Sequence, residues 1–67
     1  MELLTVEELS ELLKVSRNQI VLMANRREIP ALSVFGKLRF DANEIEEWLK
    51  HNRLYAKNET GQERNSR

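Results

Sequence analysis

The chain has 67 residues, with eleven basic side chains balanced by eleven acidic ones, one histidine and no cysteine. A chain this short makes one domain at most, with a core worth about 3–5 kcal/mol of net stability, and the lack of cysteine excludes disulfides and thiolate metal sites. The lone His51 builds no metal centre, no apolar run approaches the roughly 20 residues of a bilayer-spanning helix, and no signal peptide is visible; the expectation is a cytoplasmic protein without cofactor or membrane partner.

Thr5 and Glu8 have capping-box spacing, with Leu4 just before them. They predict a helix running to about Leu13, with Val6, Leu9, Leu12 and Leu13 as its apolar stripe. Lys14-Val15-Ser16 reads as a turn that Val15 plugs. Ser16 with Gln19 repeats the capping box and opens a second helix, which ends near Arg26–Glu28 ahead of Pro30. Between Ile29 and Phe40 the period falls to two. Leu32 and Val34 alternate with Ser33, and Leu38 and Phe40 with Lys37 and Arg39. This predicts a β-hairpin turning at Phe35-Gly36-Lys37, its apolar face closed over the helices and its tip presenting Lys37 and Arg39. Asp41 with Glu44 is a third capping box. It opens a helix to about Asn52, with Ile45, Trp48 and Leu49 on one face, Trp48 as the main anchor, and Leu54 and Tyr55 extending the contact. The domain is expected over 1–55, followed by a disordered polar tail over 56–67.

The run Thr5–Ala24 has the spacing of a helix-turn-helix. Leu9 and Leu13 are apolar, Ser10 is small where the second helix must pass close, Val15 lies in the turn, and Ile20 and Met23 face inward. The predicted fold is mostly α with a small β-hairpin: a winged helix-turn-helix of helix-turn-helix, two-stranded wing and C-terminal helix.

Charge is segregated along the chain. Residues 1–13 carry Glu2, Glu7, Glu8 and Glu11 and no base. Residues 14–40 carry Lys14, Arg17, Arg26, Arg27, Lys37 and Arg39 against Glu28, a net +5, and residues 41–50 carry Asp41, Glu44, Glu46 and Glu47 against Lys50. One surface can thus meet phosphates while the others repel them. On the second helix, 100° per residue puts Ile20, Met23 and Ala24 on the core side and Asn18, Leu22 and Asn25 opposite, flanked by Val21 and Arg26. Arg17 and Gln19 fall in the first turn.

These positions are candidate contacts to double-stranded DNA. The Asn18 and Asn25 amides suit an adenine edge, Arg17 a guanine or a phosphate, and Val21 and Leu22 thymine methyls. Ser16 caps the helix while leaving free amides for a phosphate. Lys37 and Arg39 suit phosphates or the minor groove. The plainer readings are exposed polar residues on the helix and, on the hairpin, charges that guard an edge strand from pairing. Glu44, Glu46 and Glu47 read as a solvated, dipole-favourable turn or a patch for a basic partner, and His51 as a surface residue near a helix C-terminus. No nucleophile, base and orienting group stand at workable spacing, and Tyr55 alone is no recombinase site; an enzyme is not expected.

Together LLTVEELSELLKVS, REIPA, FGKLRF and DANEIEEWL, in this order and spacing, resemble the excisionase family of small winged-helix DNA-binding proteins, related in architecture to the MerR-like winged helices. The resemblance spans about residues 3–50. It implies DNA binding without catalysis, the second helix in the major groove and the wing on adjacent backbone or minor groove. Within that pattern Arg17 matches a polar or basic position, Pro30 and Ala31 the helix-to-wing joint, Gly36 and Lys37 the wing turn, and Arg39 and Phe40 the wing ending. For directionality factors of this family it also implies adjacent monomers that bend DNA cooperatively and assist an integrase; other members are small regulators. Lys14 and Arg27 stand where the family commonly has glycine, which implies an uncomfortable backbone at Lys14. Leu38 replaces a frequent aromatic, Val21 and Leu22 replace a usual Tyr and Arg, and Ser33 a frequent base. The alternative is therefore a protein-interaction module that keeps the fold and uses Val21 and Leu22 to bind a protein partner. No heptad long enough for a coiled coil exists, so a monomer is expected in the free state.

Overall fold

The computed structural model describes residues 1–54; Tyr55 and the tail expected over 56–67 lie outside the described residues. In chain order the elements are β1 (Leu3–Leu4), α1 (Val6–Leu13), α2 (Arg17–Asn25), β2 (Leu32–Val34), β3 (Lys37–Asp41) and α3 (Ala42–His51). The three helices and small antiparallel sheet form the winged helix-turn-helix fold expected from the sequence. The sheet, however, has three strands in the order β1-β3-β2. Leu3 and Leu4 pair with Asp41 and Phe40, and Ala42 N–H donates to Glu2 O at 2.9 Å. A strand of two residues is too short to show a period of two, so its sequence carries no signal.

Each helix begins on a side-chain cap, but the three caps differ. At α1 the box is complete: Glu8 N–H donates to Thr5 Oγ1 at 3.1 Å and Thr5 N–H to Glu8 Oε1 at 2.9 Å. At α2 the observed bond is Gln19 N–H to Ser16 Oγ, 3.1 Å, which is half of the expected box. At α3 Asp41 Oδ1 accepts from Asn43 N–H at 2.9 Å, one residue nearer than the Asp41–Glu44 box would require. The shorter aspartate side chain satisfies the second helical amide and Glu44 stays exposed.

Both joints around α2 are left-handed. Lys14 has φ 62° and Arg27 φ 60°. After α1, Val15 N–H donates to Ser10 O at 3.1 Å. After α2, Glu28 N–H donates to Met23 O at 2.9 Å and Arg27 N–H to Ala24 O at 3.1 Å, the paired bonds of a Schellman closure. This closure, rather than Pro30, ends α2, and does so at Asn25. Val15 does not plug the turn: it is exposed, because its amide is drawn back to Ser10 while the core takes Leu13 and Ile20 on either side. A non-glycine residue at such a φ costs about 1–2 kcal/mol, part of which glycine would return in lost chain entropy. Lys14→Gly is therefore expected to stabilise the domain by about 0.5–1 kcal/mol. A thermal midpoint that stays level or falls would refute this.

The core is Leu9, Ile20, Ile29, Phe40 and Ile45, all buried, with Leu4, Val6, Leu13, Met23, Ala24, Ala31, Leu38 and Trp48 packed around them. Three expected apolar contacts are absent. Leu12 is 58% exposed, because it projects to the far side of Leu9 from Val6 and Leu13. Leu49 is exposed a full turn beyond Ile45, and Leu54 is exposed after the helix has ended. The anchor of α3 is Ile45. Trp48 is half-buried and instead brackets the loop after α2, its Nε1–H donating to Glu28 O at 2.9 Å.

The hairpin carries the largest correction. Its register pairs Leu32 with Arg39, Ser33 with Leu38 and Val34 with Lys37. Residues directly opposite in an antiparallel pair share a face. Leu32 and Val34 therefore stand on the face of Lys37 and Arg39, not on that of Leu38 and Phe40, and both are exposed. Of the two hairpin strands, only β3 delivers apolar side chains to the core.

Candidate nucleic-acid interface

The surface of α2 follows from its two ends. Ser16 takes the Gln19 amide, which leaves the Arg17 and Asn18 N–H groups as donors without a partner among the described residues, at the positive end of the helix. Burial of Ile20, flanked by half-buried Met23 and Ala24, fixes the rotation of the helix. Asn18, Val21, Leu22 and Asn25 then share the outward surface, with Gln19 and Arg26 beside them, and all six are exposed. The expected outer face is thus assembled on one element.

Arg17 does not join it. Its guanidinium turns toward α1, with Nη1 3.5 Å from Glu7 Oε2, both side chains well exposed. The Glu7 carboxyl lies below its ordinary range, first through a hydrogen bond from its own backbone N–H and also through the Arg17 charge, against a desolvation effect that raises it. Spacing within either helix gave no hint of Glu7, because the pairing spans the interhelical turn.

The hairpin turns through two residues, Phe35 at φ 51° and Gly36 at φ 78°, so Lys37 already begins β3. Two successive positive φ values mark the type I′ turn, whose twist matches that of the flanking strands. Gly36 is needed for this φ rather than for space, since a Cβ there would meet nothing within 4 Å. Lys37 is exposed beside the tip. Arg39 lies further down the strand, half-buried, and donates from Nη1 to Leu38 O at 2.7 Å, which holds its guanidinium along the strand. The tip itself presents Phe35, wholly exposed, a residue that the sequence placed in the turn without assigning it any role.

α1 packs against both α2 and β3 and so carries the two candidate surfaces. A groove between its first turn and the hairpin is lined by Thr5, Val6 and Glu7 on one side and by Gly36, Lys37, Leu38 and Arg39 on the other. Glu7 therefore stands between the N-terminus of α2 and the wing. The acids Glu44, Glu46 and Glu47 are exposed on α3, where Glu47 meets Lys50 at 3.5 Å and His51 Nδ1 lies 2.8 Å from Glu47 O. Among the described residues no cluster of His, Asp or Glu is placed to hold a metal ion, and no helix is long and apolar enough to cross a membrane.

A helix-turn-helix domain family matches residues 3–53, from β1 to just past α3. The match covers well over half of the chain, and the protein belongs to this family of DNA-binding helix-turn-helix domains. Domains of this family are typically non-catalytic. No curated protein and no solved structure matches the chain significantly.

Proposed function

We propose that the protein is a non-catalytic DNA-binding factor of the excisionase, MerR-like kind, acting as a recombination directionality factor or small transcriptional regulator. In this reading α2 enters the major groove and the hairpin lies on the adjacent backbone or minor groove. The observation that carries it is the exposed outer surface of α2, amide-bearing at Asn18 and Asn25 and with free amides at its start. Asn18 and Asn25 read adenine edges, Val21 and Leu22 pack on thymine methyls, and Gln19 contacts the groove near the helix start. Ser16, Arg17, Arg26, Lys37 and Arg39 serve the phosphates. Arg17 exchanges Glu7 for a phosphate on binding, because an exposed ion pair is worth little against a polyanion. The free protein is a monomer that binds DNA cooperatively, and an integrase is the protein partner in the directionality role.

A second reading rests on the exposure of Val21 and Leu22, an apolar pair in the middle of the outer surface of α2. There the fold is kept and the pair anchors another protein.

An NMR titration with an A·T-rich duplex at low and moderate salt separates the two. The expected result is shifts confined to Ser16–Arg26 and Lys37–Arg39 that fade as salt rises. Absence of shifts at low salt would reject the DNA reading in favour of a protein partner at Val21 and Leu22.

A further inference from the structure

Phe35 is the most exposed of the large apolar side chains among the described residues and occupies the tip of the hairpin. It touches none of the core, so burial does not explain it. Its backbone does not explain it either. At φ 51° a bulky aromatic is disfavoured, and asparagine or aspartate is the residue this turn ordinarily takes before glycine. The fold thus holds an aromatic ring in water, on a backbone that resists it, in a two-residue turn.

The surroundings specify what the ring meets. Gly36 has no side chain and open space around it, so the tip is narrow and Phe35 is its leading side chain. Directly behind it Val34 and Lys37 form a cross-strand pair, and Leu32 and Arg39 form the next. An apolar point followed by cations on one face suits a nucleic-acid duplex: the ring enters between bases while the ammonium and guanidinium remain at the phosphates. A minor groove about 6 Å wide admits such a tip but not a helix.

We propose that Phe35 is an apolar wedge that enters the minor groove, partly unstacks one base step and kinks the duplex toward the major groove. Inserted phenylalanines act in this way in minor-groove proteins, and pyrimidine–purine steps yield most readily. The wedge rests on the reading of α2 and the hairpin as one DNA interface. It adds a source of bending and of step preference that needs no hydrogen bond to a base.

The test compares the wild-type chain with Phe35→Asn, which removes the ring and suits the left-handed turn. Both are followed by thermal melting, by fluorescence anisotropy on a short A·T-rich duplex with TA steps, and by energy transfer between dyes at the duplex ends. The expected result is a variant that melts no lower than wild type, binds about tenfold more weakly and no longer brings the duplex ends together. A variant that binds and bends as wild type does would overturn the wedge while leaving the helix reading intact. Wild-type protein that fails to bind the duplex at low salt would overturn both.

Discussion

Phe40→Ala is expected to leave the domain unfolded at room temperature. Phe40 is fully buried and heads the largest buried side chains, and its strand is the middle one of the sheet, bonded to β1 on one side and β2 on the other. Its ring belongs to one buried cluster with Leu9 of α1, Ile20 of α2, Ile29 of the loop after α2 and Ile45 of α3, so its removal opens a cavity in the core that the three helices share. Truncating a buried phenylalanine costs about 3–5 kcal/mol. That equals the whole net stability of about 3–5 kcal/mol that a core of this size supplies. Far-UV circular dichroism should show a largely unfolded chain without a cooperative melt, whereas Phe40→Leu, which keeps most of the volume, should still melt cooperatively. A Phe40→Ala melt within a few degrees of wild type would show that Phe40 is not the keystone of the core.

The second large effect is on DNA affinity and its dependence on salt. If Arg17, Arg26, Lys37 and Arg39 each neutralise one phosphate, counterion release gives a log–log slope of about −3.6, so a fourfold rise in salt weakens binding about 150-fold. Lys37→Ala should lower the steepness of that slope by about 1 and weaken binding to all sequences alike, as expected for a phosphate contact. Asn25→Ala should leave the slope unchanged and cost affinity chiefly on the preferred duplex, since an amide reading a base releases no counterion. Affinity measured by fluorescence anisotropy across the salt range distinguishes these outcomes. A flat salt dependence would remove the phosphates from the account altogether.

The helices were legible because their signals are local. The Thr5–Glu8 box, the apolar positions of α1 and α2 and the change of period after Ile29 are each contained within a few residues, and the helices and hairpin fall where these place them. What escaped depends on pairing between segments distant in sequence. β1 exists only because β3 offers it an edge. Ile29 is core although no periodic run includes it, since the loop after α2 folds inward beside Pro30. Leu32 and Val34 looked like core because alternation reveals two faces without revealing which is inside; the Val34–Lys37 register decides that and is set by the Phe35-Gly36 turn. The outer surface of α2 was legible for a similar reason to the helix itself, as one buried residue, Ile20, fixes the rotation. Arg17 was not, because its orientation depends on Glu7 of another helix.

The bracket between Trp48 and the carbonyl of Glu28 has a spectroscopic consequence. Trp48 is the single tryptophan of the chain and is only half-buried, its indole N–H held by the loop that follows α2. Its emission therefore reports whether α3 remains clasped to that loop, without any extrinsic dye. It gives a built-in optical gauge of the support beneath α2, and so separates loosening of the scaffold from events at the wing.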